Sequence, residues 1–334
     1  MADLRTRYLG LDLAHPIVAS ASPLSRELDG IRRLEDAGAA AIVLPSIYEE
    51  EIEAEDAITL ALVEQGSFAQ PEASGYFPSR YREVGGLDGR LETIRRAREA
   101  CAVPIIASLN GSKPSGWTSV ARDLADAGAS AIELNLYRVP ADFAQGSQAV
   151  ESQWLDTVAA VRAAVSLPVA VKLGPWLSSP GHFATALAGA GADGLVLFNR
   201  FYQPDIDLAT LAPTSGLRLS SPHEIRFGLL WIALLAGRIR SSLAATTGVE
   251  SHVEVVKYLL AGADVVMTAS ALLRHGPAHL ASLREGLEAW MEERGFAAVG
   301  DMRRTLAASR LADPEPLLRA QYAEMLLGYP EPLP

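Results

Sequence analysis

One phrase occurs four times in this chain. "EDAGAAAIVLPS" (35–46), "ADAGASAIELNL" (125–136), "AGAGADGLVLFN" (188–199) and "LLAGADVVMTAS" (259–270) each close a helical pattern at Ala-Gly-Ala and pass at once into a short apolar strand. Glycine fits the junction because helix C-termini commonly end on a left-handed residue. Between these units stand strands led by proline: "HPIVASASP" (15–23), "VPIIASLNG" (103–111) and "LPVAVKLGP" (167–175). An X-Pro step stops the preceding helix. "SSLAATTGV" (241–249) completes a set of eight strands, separated by amphipathic stretches such as "SGWTSVARDLADAG". Near-continuous apolar strands alternating with helices predict a parallel sheet covered on its outer face. Eight such units predict a (β/α)8 TIM barrel. A doubly wound open sheet is the second reading, weakened because no Gly-x-Gly-x-x-Gly fingerprint follows the first strand.

Two segments break the rhythm. Residues 47–102 contain an acidic run, "YEEEIEAEDAITLALVEQG", and then "EASGYFPSRYREVGG". The first reads as a solvated helix face, the second as an insertion over the barrel mouth. Residues 303–334 follow the barrel of residues 1–302 and read as a helical, Pro-rich C-terminal extension, packed outside the barrel or against a partner.

The formal net charge of -11 argues against a nucleic-acid partner, since phosphate neutralisation needs clustered Lys and Arg. Cys101 is the single cysteine, which excludes an internal disulfide and reads as a small buried hydrophobe. No apolar run reaches the roughly 20 residues of a membrane span, and "FGLLWIALLAG" (227–237) reads as a buried helix. The opening "MADLRTRYLG" has no signal-peptide pattern. The expectation is a cytoplasmic protein with no membrane partner.

Catalytic groups in this kind of barrel sit at the C-terminal ends of the strands. Polar residues collect at those ends: Ser20, Ser22, Ser46, Ser108, Asn110, Asn135, Tyr137, Arg138, Lys172, Asn199, Arg200, Thr246, Thr247, Thr268 and Ser270. Lys172 lies inside an apolar strand, where an unpaired ammonium is costly. Two readings stand: an ion pair with Glu133 on the neighbouring strand, or a ligand-facing lysine that contacts a cofactor or forms a Schiff base. "ATTGV" and "MTAS" close the last two strands with small residues. Thr247, Gly248, Ala269 and Ser270 would there frame a phosphate cup of backbone amides.

These residues, in this order, resemble the dihydroorotate dehydrogenase family of FMN-dependent barrels, which serves pyrimidine metabolism. The likeness runs from about residue 8 to residue 305. "PIIASLNGS", "IELNL", "PVAVKL" and above all "TTGVESHVEVVKYLLAGADVVMTASALLRHGP" carry it. The resemblance implies FMN as cofactor, with Ala19, Ser20, Ala21, Ser46, Ser108 and Asn135 along the flavin. It puts Lys172 by the flavin's N1 and O2, where a cation favours the reduced anionic ring. Thr247, Gly248, Ala269 and Ser270 then hold the phosphate, together with a small residue at Ser220 or Ser221. The family's tendency to dimerise suggests a homodimer.

The chain departs from the family around the substrate. Where the family carries a Cys or Ser base after strand four, this sequence reads "NLYRVP", which places Arg138 at that position. A guanidinium stays protonated at working pH, so dihydroorotate oxidation by the usual route is doubtful. Pro45 replaces a lysine of strand two, and Arg200 replaces a small hydroxyl residue beside Asn199. Arg138, Arg200 and Lys113 suggest a small anionic substrate; equally, the arginines pair with the acidic run of 49–56 or with another chain. Tyr137 or His223 is the candidate acid–base, and the remaining histidines read as surface or capping residues. No metal-ligand spacing appears.

Three functions follow: a flavin-dependent dehydrogenase of hydride-transfer type, an FMN-binding redox partner or electron-transfer subunit without that catalysis, and a Schiff-base lyase using Lys172. One cysteine cannot hold an iron–sulfur cluster, so electrons must leave to a diffusible molecule or another chain.

Overall fold

The computed structural model describes residues 2–48, 86–111, 117–137, 139–200, 204–214, 216 and 218–315. The acidic run of 49–56, Lys113, Arg138 and the segment 316–334 lie outside the described residues.

A short antiparallel hairpin, β1 (Thr6–Tyr8) and β2 (Leu11–Leu13), comes first. The barrel then begins with β3 (Ile17–Ala19), β4 (Ile42–Val43) and its continuation β5 (Ile47–Tyr48). It goes on through β6 (Ile105–Asn110), β7 (Ala131–Leu136), β8 (Val169–Leu173) and β9 (Gly194–Leu197). A second hairpin, β10 (Asp205–Asp207) with β11 (Ala212–Thr214), leaves the mouth before β12 (Ser242–Ala245) and β13 (Val265–Thr268) complete the ring. Every barrel pairing is parallel, and β4 pairs with β6 as well as with β3. That pairing closes the sheet on itself. The protein is therefore a (β/α)8 TIM barrel, and the open doubly wound sheet is excluded.

The glycines of the recurring phrase do what the sequence suggests. Gly38, Gly128, Gly191 and Gly262 all have positive φ, ending each helix so that the next strand starts within a few residues. The eight expected strands are all present, although the second is divided by Leu44–Ser46.

The core has two parts. One lies between barrel and helices, the other inside the ring, where Val18, Ile106, Ala131, Ala170, Val196, Ala244 and Met267 meet. Tyr8 and Leu9 of the first hairpin fill the lower end of that inner core. Gly194 admits them, since a Cβ there would lie 2.6 Å from Leu9 Cδ2. With its base plugged, the barrel can open only at the strand C-termini.

Two readings of single residues change. His15 is neither a surface nor a capping residue: it is buried, its Nε2 2.8 Å from the Gly38 carbonyl, and burial pushes its pKa down to about 4. The helix Ile225–Leu235 is not buried all round, for Phe227 is 43% exposed. Cys101 is buried, and burial raises its thiol to about 11. Beyond the barrel, residues 303–310 run as turns along its outer helices, with Arg304 N–H donating to Leu259 O and Ala308 N–H to Ala233 O.

Candidate functional site

A cleft of about 660 Å³ opens at the C-terminal ends of the strands, a size typical of cofactor sites. Its lining contains Ser20, Ala21, Ser46, Asn135, Tyr137, Lys172, Asn199, Arg200, Thr247, Gly248, Ala269 and Ser270. Together with Ser22, Asn110, Ser220, Thr246 and Thr268, which also line it, seventeen residues singled out from sequence converge on one place. They do so because parallel strands all deliver their last residues to the same rim.

One side of the cleft is a mesh of short hydrogen bonds. Gly248 N–H donates to Ser220 Oγ at 3.1 Å, and Ser220 hydroxyl and amide both donate to Ser270 Oγ at 3.0 and 3.1 Å. Ser270, which thus accepts twice, keeps its own proton to give to a ligand. Thr247 and Gly248 both have positive φ, 75° and 77°. A Cβ at Gly248 would lie 2.7 Å from the Ser221 carbonyl oxygen, so glycine lets the turn seat on the chain behind it. Below, the buried Tyr258 hydroxyl stands 3.2 Å from the carbonyls of both Thr246 and Thr247 and clamps that turn. Arg274 Nη2 donates to Ser220 O at 3.2 Å, and its other nitrogen pairs with Glu250.

Larger groups line the rest of the cleft. Lys172 sits beside Asn135 in register, and its Nζ lies 3.5 Å from Glu133 Oε1. The ion pair with Glu133 is present, and Lys172 also lines the cleft. Glu133 is 1% exposed and neither oxygen has a hydrogen-bond partner among the described residues. Burial raises the Tyr8 phenol pKa, and the Glu133 charge adds to that. Asn199 donates its amide to Asn135 Oδ1. Arg200 Nε donates to Glu224 Oε1 at 2.7 Å and another of its nitrogens to Arg218 O. Burial alone would raise the Glu224 carboxyl, yet hydrogen bonds from Arg200 and the Ser221 amide outweigh it and hold the pKa below the usual value. Arg200 is thus paired within its own chain.

Four expected residues fall elsewhere, the first being Ala19, which is fully buried in β3. Ser108 stands behind the cleft wall, its hydroxyl 2.7 Å from Ser46 Oγ. Ser221 gives its place in the cup to Ser220, because its own hydroxyl and amide serve Glu224 at the start of the short helix Pro222–Glu224. His223, on that helix, is exposed and outside the cleft lining.

Arg26, Arg90 and Arg218 were not singled out, and all three line the cleft. No strand-end pattern marks them: Arg26 follows a 3-10 turn, Arg90 belongs to the helix after the insertion, and Arg218 follows the second hairpin. With Lys172 and Arg200 they make five cationic side chains, while no Asp or Glu lines the cleft among the described residues. No group of three or more His, Cys, Asp or Glu among the described residues could hold a metal ion.

A closed barrel whose mouth is lined by cations, with small residues after its last two strands, is a setting in which this fold frequently holds a phosphorylated ligand. The chain belongs to the dihydroorotate dehydrogenase family, a family of flavin-dependent oxidoreductases of pyrimidine metabolism, whose profile matches residues 4–291. A protein of Aeropyrum pernix provisionally named dihydroorotate dehydrogenase A (fumarate) is 28% identical over 309 residues, covering 90% of this chain and 96% of that protein. The dihydroorotate dehydrogenase B (NAD(+)) catalytic subunit of Thermoplasma acidophilum is 26% identical, covering 90% of this chain and 98% of that one. The corresponding subunit of Methanocella arvoryzae is 29% identical, covering 79% and 85%.

Proposed function

We propose that this chain is an FMN-dependent oxidoreductase that transfers hydride between the flavin and a small anionic substrate. The observation that carries the reading is the charge of the cleft. In a chain of net charge -11, five cationic side chains and no described carboxylate line it.

The residues present suit the cofactor at both ends. The Ser270 hydroxyl, braced by Ser220 and the Gly248 amide, offers a neutral donor for a phosphate, and Ala269 leaves room for it to approach. Lys172 offers a cation where a reduced flavin concentrates negative charge. Bound there, FMN would supply a two-electron acceptor reacting at N5. The chain's own side chains do the rest. Glu133 holds the Lys172 ammonium at the rim, and the Asn135–Asn199 pair fixes two amides beside it. Ser20, Ala21 and Ser46 form a small-residue wall along which a flat ring can lie.

Arg138 argues against dihydroorotate itself as substrate. Loss of a general base costs about 10²–10⁴-fold. Of the two acid–base candidates, Tyr137 lines the cleft and remains the better one. Arg138 and Lys113 stay assigned to the substrate anion, together with Asn199 and Arg200.

A second reading is supported by the relatives' names. Several are catalytic subunits of a type B enzyme, and this chain has one cysteine, buried, which cannot hold an iron–sulfur cluster. A separate partner chain that takes up the electrons fits that pattern.

Cofactor extraction with mass measurement tests the first reading, followed by anaerobic reduction with dihydroorotate and a panel of small carboxylates and phosphates. The expected outcome is a yellow protein holding FMN, reduced slowly or not at all by dihydroorotate. A colourless protein that takes up no added FMN would overturn it.

A further inference from the structure

Behind the small-residue cup, and outside the cleft lining, two charged residues meet. Arg274 lies near the end of the helix Ser270–His275, and Glu250 stands two residues beyond Gly248 in the loop that leaves β12. We propose that Arg274 and Glu250 are positioning residues for the cofactor's phosphate, which they set in place through Ser220 without touching it. The inference rests on the FMN reading above and extends that site by a second layer of residues.

The cup is made of three separate stretches of chain: the residues before the short helix Pro222–Glu224, the turn after β12, and the start of the helix Ser270–His275. On the inner side Ser220, Gly248 and Ser270 join them. On the outer side Arg274 joins the same three. One of its nitrogens pairs with Glu250, and Nη2 donates to the Ser220 carbonyl at 3.2 Å. Arg274 follows Ser270 by four residues, so both reach Ser220 from one face of their helix. The peptide that links Ser220 to Ser221 is held at its other end too, where Ser221 N–H donates to Glu224 Oε2 at 2.7 Å. Its tilt is thereby fixed from outside the cleft, and with it the hydroxyl that Gly248 and Ser270 share. Glu250 is anchored in turn. A carboxylate and a carbonyl only accept, so His275 Nε2–H donates to Glu250 Oε1 at 2.5 Å and His279 Nε2–H to Glu250 O at 2.7 Å. The Arg274 and Glu250 side chains are 36% and 24% exposed, and a pair so placed adds little to overall stability. Its effect is geometric: a planar guanidinium bridges two acceptors in fixed directions, and a site is held only as exactly as the groups behind it.

The test compares dissociation constants for FMN and for riboflavin, the same ring without the phosphate, on the full-length protein stripped of flavin. Arg274→Met should weaken FMN binding about tenfold, the effect of about one hydrogen bond, and leave riboflavin binding as it is. Arg274→Lys keeps the charge but not the fork, and should stay at least about threefold weaker for FMN than the parent. Glu250→Gln is the milder change and decides the matter should Arg274→Met fail to fold; it should weaken FMN about threefold and spare riboflavin. Three results would overturn the proposal. Unchanged FMN affinity in Arg274→Met or Glu250→Gln would mean that the cup needs no brace. An equal loss for both flavins would mean a general defect of the barrel. An Arg274→Lys protein that binds FMN like its parent would mean that charge alone acts. A parent that takes up neither flavin would instead sink the oxidoreductase reading, and this inference with it.

Discussion

The two sides of the mouth are built by different means. On the cup side, Ser220, Gly248 and Ser270 are small residues tied together through backbone amides and hydroxyls, with Tyr258 bracing them from below. On the other side, Lys172, Asn199 and Arg200 are longer groups, each held by one or two specific partners. The difference has a physical logic. On the proposed reading the cup meets the phosphate of the cofactor, which does not change with the substrate, so it can be built from main chain and small residues. A reacting group must be matched, and side chains can be exchanged without rebuilding a turn. The departure Arg200 falls among these exchangeable groups, which is where a family can change substrate and keep its cofactor.

The sharpest way to break this contrast is at Lys172. Its partner Glu133 is buried and has no hydrogen bond among the described residues. Removing the ammonium leaves an uncompensated buried charge, so Lys172→Met should cost about 3–5 kcal/mol of stability. The midpoint of urea unfolding measures it. Glu133→Gln in the same chain should recover most of the loss, because it removes the stranded charge as well. A Lys172→Met protein as stable as its parent would mean that the pair is not a pair, and that this side is as tolerant below the rim as at it.

On the cup side, Gly248→Ala is the matching probe. The residue has φ +77°, and the new methyl group would meet the Ser221 carbonyl at 2.7 Å and Ile225 Cγ2 at 2.8 Å. Strain of this kind should cost more than about 1 kcal/mol. It should also displace the turn and lower FMN affinity at least about tenfold, the equivalent of about 1.4 kcal/mol. Equilibrium dialysis against FMN gives the second number.

The two sides also differed in how far the sequence disclosed them. The barrel was legible because its signals are local: the glycines after each helix and the prolines before the strands act within one or two residues. The strand-end residues were legible for the same reason, since a parallel barrel brings all of them to one rim. Ser220 against Ser221 was not decidable, because adjacent serines differ only in which way the chain carries them, and Glu224 settles that from three residues on. Arg26, Arg90 and Arg218 lie off the strand ends and reach the cleft through loops and a helix start, which no strand pattern encodes. The Arg200–Glu224 pair joins residues 24 apart; charge alone could as well have sent Arg200 to the acidic run.

That serine pair gives a finer test of the cup. Ser220→Ala removes the acceptor of the Gly248 amide and a donor to Ser270. A net loss of about 0.5–1.5 kcal/mol per hydrogen bond predicts FMN binding weakened about tenfold. Ser221→Ala should instead remove one hydrogen bond to Glu224, cost about 0.5–1.5 kcal/mol in stability and leave FMN affinity unchanged. The reverse pattern would return Ser221 to the cup and move the boundary between the two sides.

The smallest expected effect is at His223, and it bears on whether the reactive side extends beyond the cleft. The residue is exposed on the short helix Pro222–Glu224 and does not line the cleft. Its neighbour Glu224 is fixed by Arg200 and Ser221, so the helix has little freedom to swing the imidazole inward. His223→Ala should change stability by no more than about 0.5 kcal/mol and leave both FMN affinity and the rate of flavin reduction as they are. Tyr137→Phe, made alongside it, removes the phenol that does line the cleft and keeps its ring against Trp176. If His223→Ala slowed flavin reduction and Tyr137→Phe did not, the acid–base group would come from the cup side's flank, and the division of labour across the mouth would have to be redrawn.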